Sequence, residues 1–184
     1  MTVSVADRPR TATPQGNQMT AIETKSIPNR LFFRLFQTGN VLQRQVQKEM
    51  GISTVQWAVL GALSRPGYED GISFNQLTEY LVVSRQSLDG VLKRMERDHH
   101  VERVPHPDDG RARLVRLTGQ GRTYWDALQQ RIYQFYEQGL KGFSFDDSVN
   151  FLHYLSKLQT DLGSIALDRT EAPAESSSAP ATEP

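Results

Sequence analysis

The sequence predicts a mainly α-helical domain broken once by a small β-ribbon. Three observations carry that expectation. Apolar side chains recur at helical spacing over most of residues 28–167, a β-prone pattern replaces them only between Val101 and Leu117, and both chain ends carry few large apolar side chains. Residues 1–27 are rich in Thr, Pro, Gln, Ser and Ala, and residues 168–184 set four acids and three prolines against one arginine. Neither end can bury enough surface to offset the entropy of ordering it, so both are expected to be disordered tails. One compact domain, 28–167, is left between them.

Within that domain each element has its own signal. Leu31, Leu35, Leu42, Val46 and Met50 share a helical spacing, thickened by Phe32, Phe33 and Phe36, and Gly51 fits the stop. Thr54 is placed to cap a second helix in which Trp57, Ala58, Leu60 and Leu63 leave almost no polar face, so this helix should be central. Pro66-Gly67 ends it. Ser73 with Gln76 forms a capping box before Leu77 and Leu81. Ser84 caps the next helix, where Leu88, Val91, Leu92 and Met95 fall at i, i+3, i+4 and i+7, a buried stripe. Val101–Val104 is β-prone, 105–110 is turn-rich, and 111–117 is β-prone again, which reads as a hairpin. Thr118 caps a long helix with Tyr124, Leu128, Ile132 and Phe135. Ser144 with Asp147 caps a last one with Leu152, Leu155, Leu158, Leu162 and Ile165.

Three short helices followed by a two-stranded ribbon make a winged helix-turn-helix, expected at about 54–117. The flanking helices, about 28–50 and 118–167, offer more apolar surface than one such module can cover, and a partner subunit is the simplest source of the missing cover.

The charges bear on function. Lys plus Arg and Asp plus Glu each count 21, so the chain as a whole is neutral and only a local basic patch can serve nucleic acid. Opposite the stripe, the helix from Ser84 carries Gln86, Gly90, Lys93 and Arg97, flanked by Ser87, Asp89 and Arg94. Hydrogen-bonding side chains near the start and cations further along suit a helix that meets base edges first and phosphates second. Gln86 can pair with adenine and Arg85 with guanine. An ordinary solvated face carries the same residue types. The hairpin adds Arg103, Arg111, Arg113 and Arg116 within about fifteen residues, a density suited to phosphate or minor-groove contact. Asp108 and Asp109 at its tip can orient Arg111, or simply make a turn.

These pieces resemble one family. Val83-Ser84-Arg85-Gln86-Ser87, Arg94-Met95-Glu96-Arg97, Val101-Glu102-Arg103, Pro107-Asp108-Asp109-Gly110-Arg111 and Leu117-Thr118-Gly119-Gln120-Gly121, in register, look like the MarR family of bacterial transcriptional regulators. The resemblance implies a homodimer held by its first and last helices, bound to a pseudo-palindromic operator in double-stranded DNA, and most commonly a repressor released by a small molecule. It implies a DNA-facing set of Ser84, Arg85, Gln86, Ser87, Lys93 and Arg94 on the recognition helix, with Asp109, Arg111 and Arg113 on the wing. Arg30-Leu31-Phe32-Phe33-Arg34-Leu35 further resembles members that control breakdown of aromatic acids. Arg30, Phe33, Arg34 and Trp57 are then the expected site for a small aromatic carboxylate, with rings filling a slot and arginines flanking the anion.

The chain departs from the family pattern at three positions. His99 stands where a glycine closes the recognition helix, so it should adopt a left-handed conformation, and His100 stands where a bulky apolar residue is usual. Gly110 replaces a wing arginine. His99, His100 and His106 do not match a standard metal-ligand spacing, and a pH-sensing role is an equal alternative. His153 reads as a helix-surface or interface residue.

Other classes find little support. There is no glycine-rich phosphate loop, metal motif or nucleophile motif, and no cysteine, so an enzyme is not expected and neither is a cofactor. No run reaches the roughly eighteen apolar residues of a membrane span, and no apolar leader opens the chain, so a cytoplasmic protein is expected. The remaining alternative is an architectural or interaction module that binds DNA without an effector. Such a module should coat DNA and ignore metabolites.

Overall fold

The structure is a computed structural model and describes residues 16–107, 109 and 112–167, with side chains from residue 26 onward. The expectations for 1–15 and 168–184 lie outside those residues. The chain divides into two compact units, one ending at Gln134 and the other beginning at Phe135.

The first unit opens with α1 (Gly16–Met50), which corrects the expected boundary at Pro28. Gln18, Met19, Ala21, Glu23 and Lys25 are good helix formers, and propensity carries the helix where the apolar content predicted none. Pro28 lies inside it and leaves one ladder bond without its N–H. Gly51, at φ 75°, ends α1 as expected. An Arg131 guanidinium nitrogen donates to the Glu49 carbonyl, placing a cation on the last turn's free oxygens.

The next helix, α2 (Thr54–Leu63), is capped by Ser53, one residue earlier than expected, through a capping box with Gln56. It is the central element. It packs on α1, α3 (Phe74–Leu81), α4 (Arg85–Arg97) and β3 (Arg113–Leu117), and Val59, Leu60, Ala62 and Leu63 are buried. The expected capping box at Ser73 opens α3, and the Ser84 hydroxyl accepts the Ser87 N–H at the start of α4. All four residues of the α4 stripe are buried, and they supply much of the core with α2. Between α3 and α4, Val82 takes φ 52° and is 72% exposed. A β-branched residue is strained there, so the turn of the helix-turn-helix holds its shape against local preference.

The ribbon is part of a three-stranded antiparallel sheet of order β1-β3-β2, which corrects the two-stranded expectation. β1 (Ile72–Ser73) sets Ile72 opposite Val115, and β2 (Val101–Pro105) sets Val101 opposite Leu117. A two-residue strand shows no alternation, so nothing in the sequence announces it. Helix α5 (Gly119–Gly139) buries Leu128 and Ile132.

The second unit contains α6 (Phe145–Gly163), opened by the expected Ser144–Asp147 capping box. No residue of α6 is buried, and Phe145, Leu152 and Tyr154 are among its exposed side chains. A similar exposure holds in the first unit for Ile27, Leu31, Phe32, Phe33, Leu35 and Phe36 of α1. Of the apolar positions that predicted α1, only Val46 and Met50 enter the core.

Candidate nucleic-acid interface

The start of α4 presents Arg85, Gln86 and Ser87 to solvent, with Lys93 and Arg94 exposed further along. The Ser84 cap fixes the backbone angle at which these side chains emerge. The Arg85 guanidinium lies 5.3 Å from the centre of the Phe74 ring, close enough for a cation–π contact that restrains it. Among the described residues, neither Arg85 nor Arg94 makes an ion pair. Lys93 does, to Asp89 at 2.8 Å, one helical turn back. Gly90 has only the Arg94 guanidinium near the place of a missing side chain, 4.0 Å away, so nothing within this chain demands glycine there.

The ribbon arginines separate into two kinds, which the sequence count did not show. Arg103 donates to Asp89 at 3.1 Å and makes an ion pair with Glu96 at 3.1 Å, and Arg116 donates to Glu102 directly across the strands at 2.8 Å. Both are held by acids. Lys93 first and then Arg103 draw the Asp89 carboxyl below its ordinary range. Arg113 is exposed, without an ion pair among the described residues. Asp109 is exposed, and its carbonyl accepts the Ala112 N–H at 3.0 Å as the chain turns back. Arg111, Asp108 and Gly110 lie outside the described residues.

The histidine pair terminates α4. His99 takes φ 57°, as its place after the helix requires. Its N–H bonds to the Glu96 carbonyl and that of His100 to the Met95 carbonyl, the paired arrangement of a Schellman motif. His100 stacks on Tyr124 at 4.1 Å with an interplanar angle of 11°. Burial pushes the Tyr124 hydroxyl above its ordinary range.

The motif Thr118–Gly121 closes on the same place. The Thr118 hydroxyl donates to the His99 carbonyl at 2.5 Å, and the Thr118 N–H donates to the His100 carbonyl at 3.1 Å. A Cβ on Gly121 would stand 1.8 Å from the His100 carbonyl oxygen, so only glycine fits that approach. The Thr118 hydroxyl and N–H, bonded to the backbone carbonyls of His99 and His100, thereby lock the end of α4 to the start of α5. No group of three metal-binding side chains occurs among the described residues.

The expected effector residues are not all brought together. Arg34 lines an open groove of about 1050 Å³ with Gln37, Arg44, Gln47, Lys48 and Ser53. Arg30, Phe33 and Trp57 do not line it. Arg30 is exposed, Phe33 is 59% exposed and Trp57 is half-buried. Arg44 and Lys48 were not singled out, because their spacing from Arg34 along one helix carries no familiar motif.

Comparison with known proteins decides the family. Residues 50–112 match the MarR family profile. Over 137 residues, 72% of this chain and 78% of the relative, the chain is 50% identical to the transcriptional activatory protein BadR of Rhodopseudomonas palustris. The chain belongs to the MarR family. It is also 27% identical to the homoprotocatechuate degradative operon repressor of Escherichia coli, over 62% of this chain and 75% of that one.

Solved structures of transcriptional regulators agree in fold. The PcaV regulator of Streptomyces coelicolor, in complex with its natural ligand, matches with a TM-score of 0.62 at 26% identity, over 73% of this chain and 93% of that one. A mutant E. coli MarR complexed with operator DNA matches with a TM-score of 0.61 at 26% identity, over 73% and 95%. This MarR-family protein is therefore a winged-helix DNA-binding transcriptional regulator and not an enzyme. Among the described residues no helix is long and apolar enough to cross a membrane.

Proposed function

We propose that this regulator works as a homodimer, reads a pseudo-palindromic operator through two copies of α4, and answers to a small aromatic carboxylate. The observation that carries the DNA reading is the split among cations. Arg85, Arg94 and Arg113 stand exposed without acidic partners among the described residues, while Arg103 and Arg116 are held by acids. On this reading Arg85, Gln86 and Ser87 meet base edges and Arg94 meets phosphate, joined by Lys93 once it leaves Asp89, with Ser84 setting the angle of entry. Asp109, Arg111 and Arg113 belong to a wing over the adjacent minor groove.

The exposed apolar faces of α1 and α6 support the dimer, because side chains such as Phe36 and Leu152 lose little by being covered and much by staying wet. The module at about 54–117 then reads DNA, while 28–50 and 118–167 hold the two copies together.

Support for the effector is narrower. Arg30 and Arg34 are one turn apart and can flank one anion, and the reading adds Phe33 and Trp57 as ring-bearing contacts although neither lines the groove beside Arg34. A relative named for a homoprotocatechuate operon points to the same chemical class. An effector that fixes the two recognition helices at a mismatched spacing lowers operator affinity by its preference for that state.

The test is a titration of protein bound to the DNA flanking its own gene with benzoate and its hydroxy and chloro derivatives. Release by one of them, lost at least about tenfold in Arg30→Ala or Arg34→Ala, supports the reading. Binding that ignores the whole panel contradicts the effector class and leaves the architectural alternative. Release acts as derepression if the operator overlaps the promoter. The relative named as an activator favours a second arrangement, with an upstream operator and activation, and a promoter fusion in a deletion strain separates the two.

A further inference from the structure

Arg103 bridges two elements that the proposed reading sets in different grooves of DNA. It belongs to β2, and its donors reach Asp89 Oδ1 and Glu96 Oε1 of α4, each at 3.1 Å. Those acids are seven residues apart, two turns along one helix face. The Arg103 side chain is only 33% exposed. Among the described residues Glu96 has no other cationic partner, whereas Asp89 also takes Lys93.

We propose that Arg103 is a positioning residue for operator recognition, setting the angle of the wing against α4 by spanning Asp89 and Glu96, and that it does not bind phosphate. This rests on the assignment of α4 as the recognition helix. To reach a phosphate, Arg103 would give up a charge-assisted hydrogen bond to Asp89 and an ion pair with Glu96, and leave Glu96 uncompensated beside a polyanion. Holding its place, it hides that repulsion and fixes the spacing between helix and wing. Two contacts on one rigid body reinforce each other only when both fit at once. Loosening the bridge should therefore harm binding to the matched site and spare non-specific binding.

Glu96→Gln makes the test decisive, because it is isosteric and its two possible effects have opposite signs. Full-length protein is titrated by fluorescence anisotropy against two duplexes of equal length, at several salt concentrations. One is selected by the wild type from a random pool, and the other is unrelated. Glu96→Gln is expected to weaken the selected duplex about three- to tenfold while the unrelated one binds equally or more tightly. Tighter binding of both, as removal of a charge near phosphate predicts, would overturn the proposal. Arg103→Lys keeps the charge but cannot span both acids. It should weaken the selected duplex without changing the salt slope, whereas full affinity in Arg103→Lys, or a slope reduced by about one in Arg103→Met, would identify a phosphate contact. Failure of the underlying assignment looks different: Arg85→Ala and Gln86→Ala would then leave the selected duplex bound as before.

Discussion

The α4 module and helix α6 treat their apolar side chains in opposite ways. In α4 the stripe Leu88, Val91, Leu92 and Met95 is buried by the chain itself. In α6 the corresponding apolar positions stay in solvent, with Leu152 66% exposed and no buried residue anywhere on the helix. Both helices begin with a well-formed Ser cap, so local structure does not distinguish them. The difference lies in packing. A helix can be fully specified locally and still lack the surface it was patterned to meet, and the missing surface is itself information about function.

The largest contrast should come from leucine truncations. Leu92→Ala removes a fully buried side chain and should cost about 2–5 kcal/mol, independent of protein concentration. Leu152→Ala should alter the melting temperature only through association, so its effect should depend on concentration. Melting curves over a hundredfold concentration range distinguish the two. Equal and concentration-independent losses would break the contrast.

Gly121→Ala probes how tightly the end of α4 is locked to α5. The added carbon meets the His100 carbonyl, and relief requires a backbone shift costing roughly 1–3 kcal/mol. The His100–Tyr124 stack should loosen with it, read as a change in Tyr124 fluorescence or ring resonances. An unchanged stack with wild-type stability would show that this junction is soft.

The smallest effect concerns the α6 cap. Asp147 accepts the Ser144 N–H and hydroxyl, and those bonds, the backbone one first, hold its carboxyl below the ordinary value. A depressed carboxyl contributes stability that is present above its unfolded pKa and lost as pH falls through the lowered one. The cap should thus persist from neutral pH down past the ordinary Asp range and weaken only below it. Asp147→Asn should remove that pH dependence, measured by helical circular dichroism in an acid titration. An acid titration identical to wild type would detach the cap from Asp147.

Much of this was legible in the sequence because it is local. The capping boxes at Ser73 and Ser144 and the α4 stripe all follow from residues within one or two turns of each other, whereas the left-handed His99 follows from the family pattern. What was not legible depends on distant partners. Strand β1 is two residues long and exists only because Val115 and Leu114 lie opposite it. Arg103 and Arg116 read as DNA contacts until their acids, remote in sequence or across a strand, came into view. Leu31, Leu35 and Leu42 have core-like spacing but remain in solvent, since periodicity identifies a face and not what covers it. Helix α1 starts at Gly16 rather than residue 28 because helix propensity extends it where apolar content is low.

The central claim is that the exposed start of α4 reads bases. Its most direct test is a discrimination profile for wild type and Gln86→Ala, measured on the wild-type-selected duplex and on every single-base-pair variant of it at one salt concentration. Gln86→Ala should lose roughly 1–3 kcal/mol of discrimination at one base pair per half-site, with the other positions and the binding of unrelated DNA unchanged. A Gln86→Ala profile that overlays the wild-type profile at every position would contradict the claim.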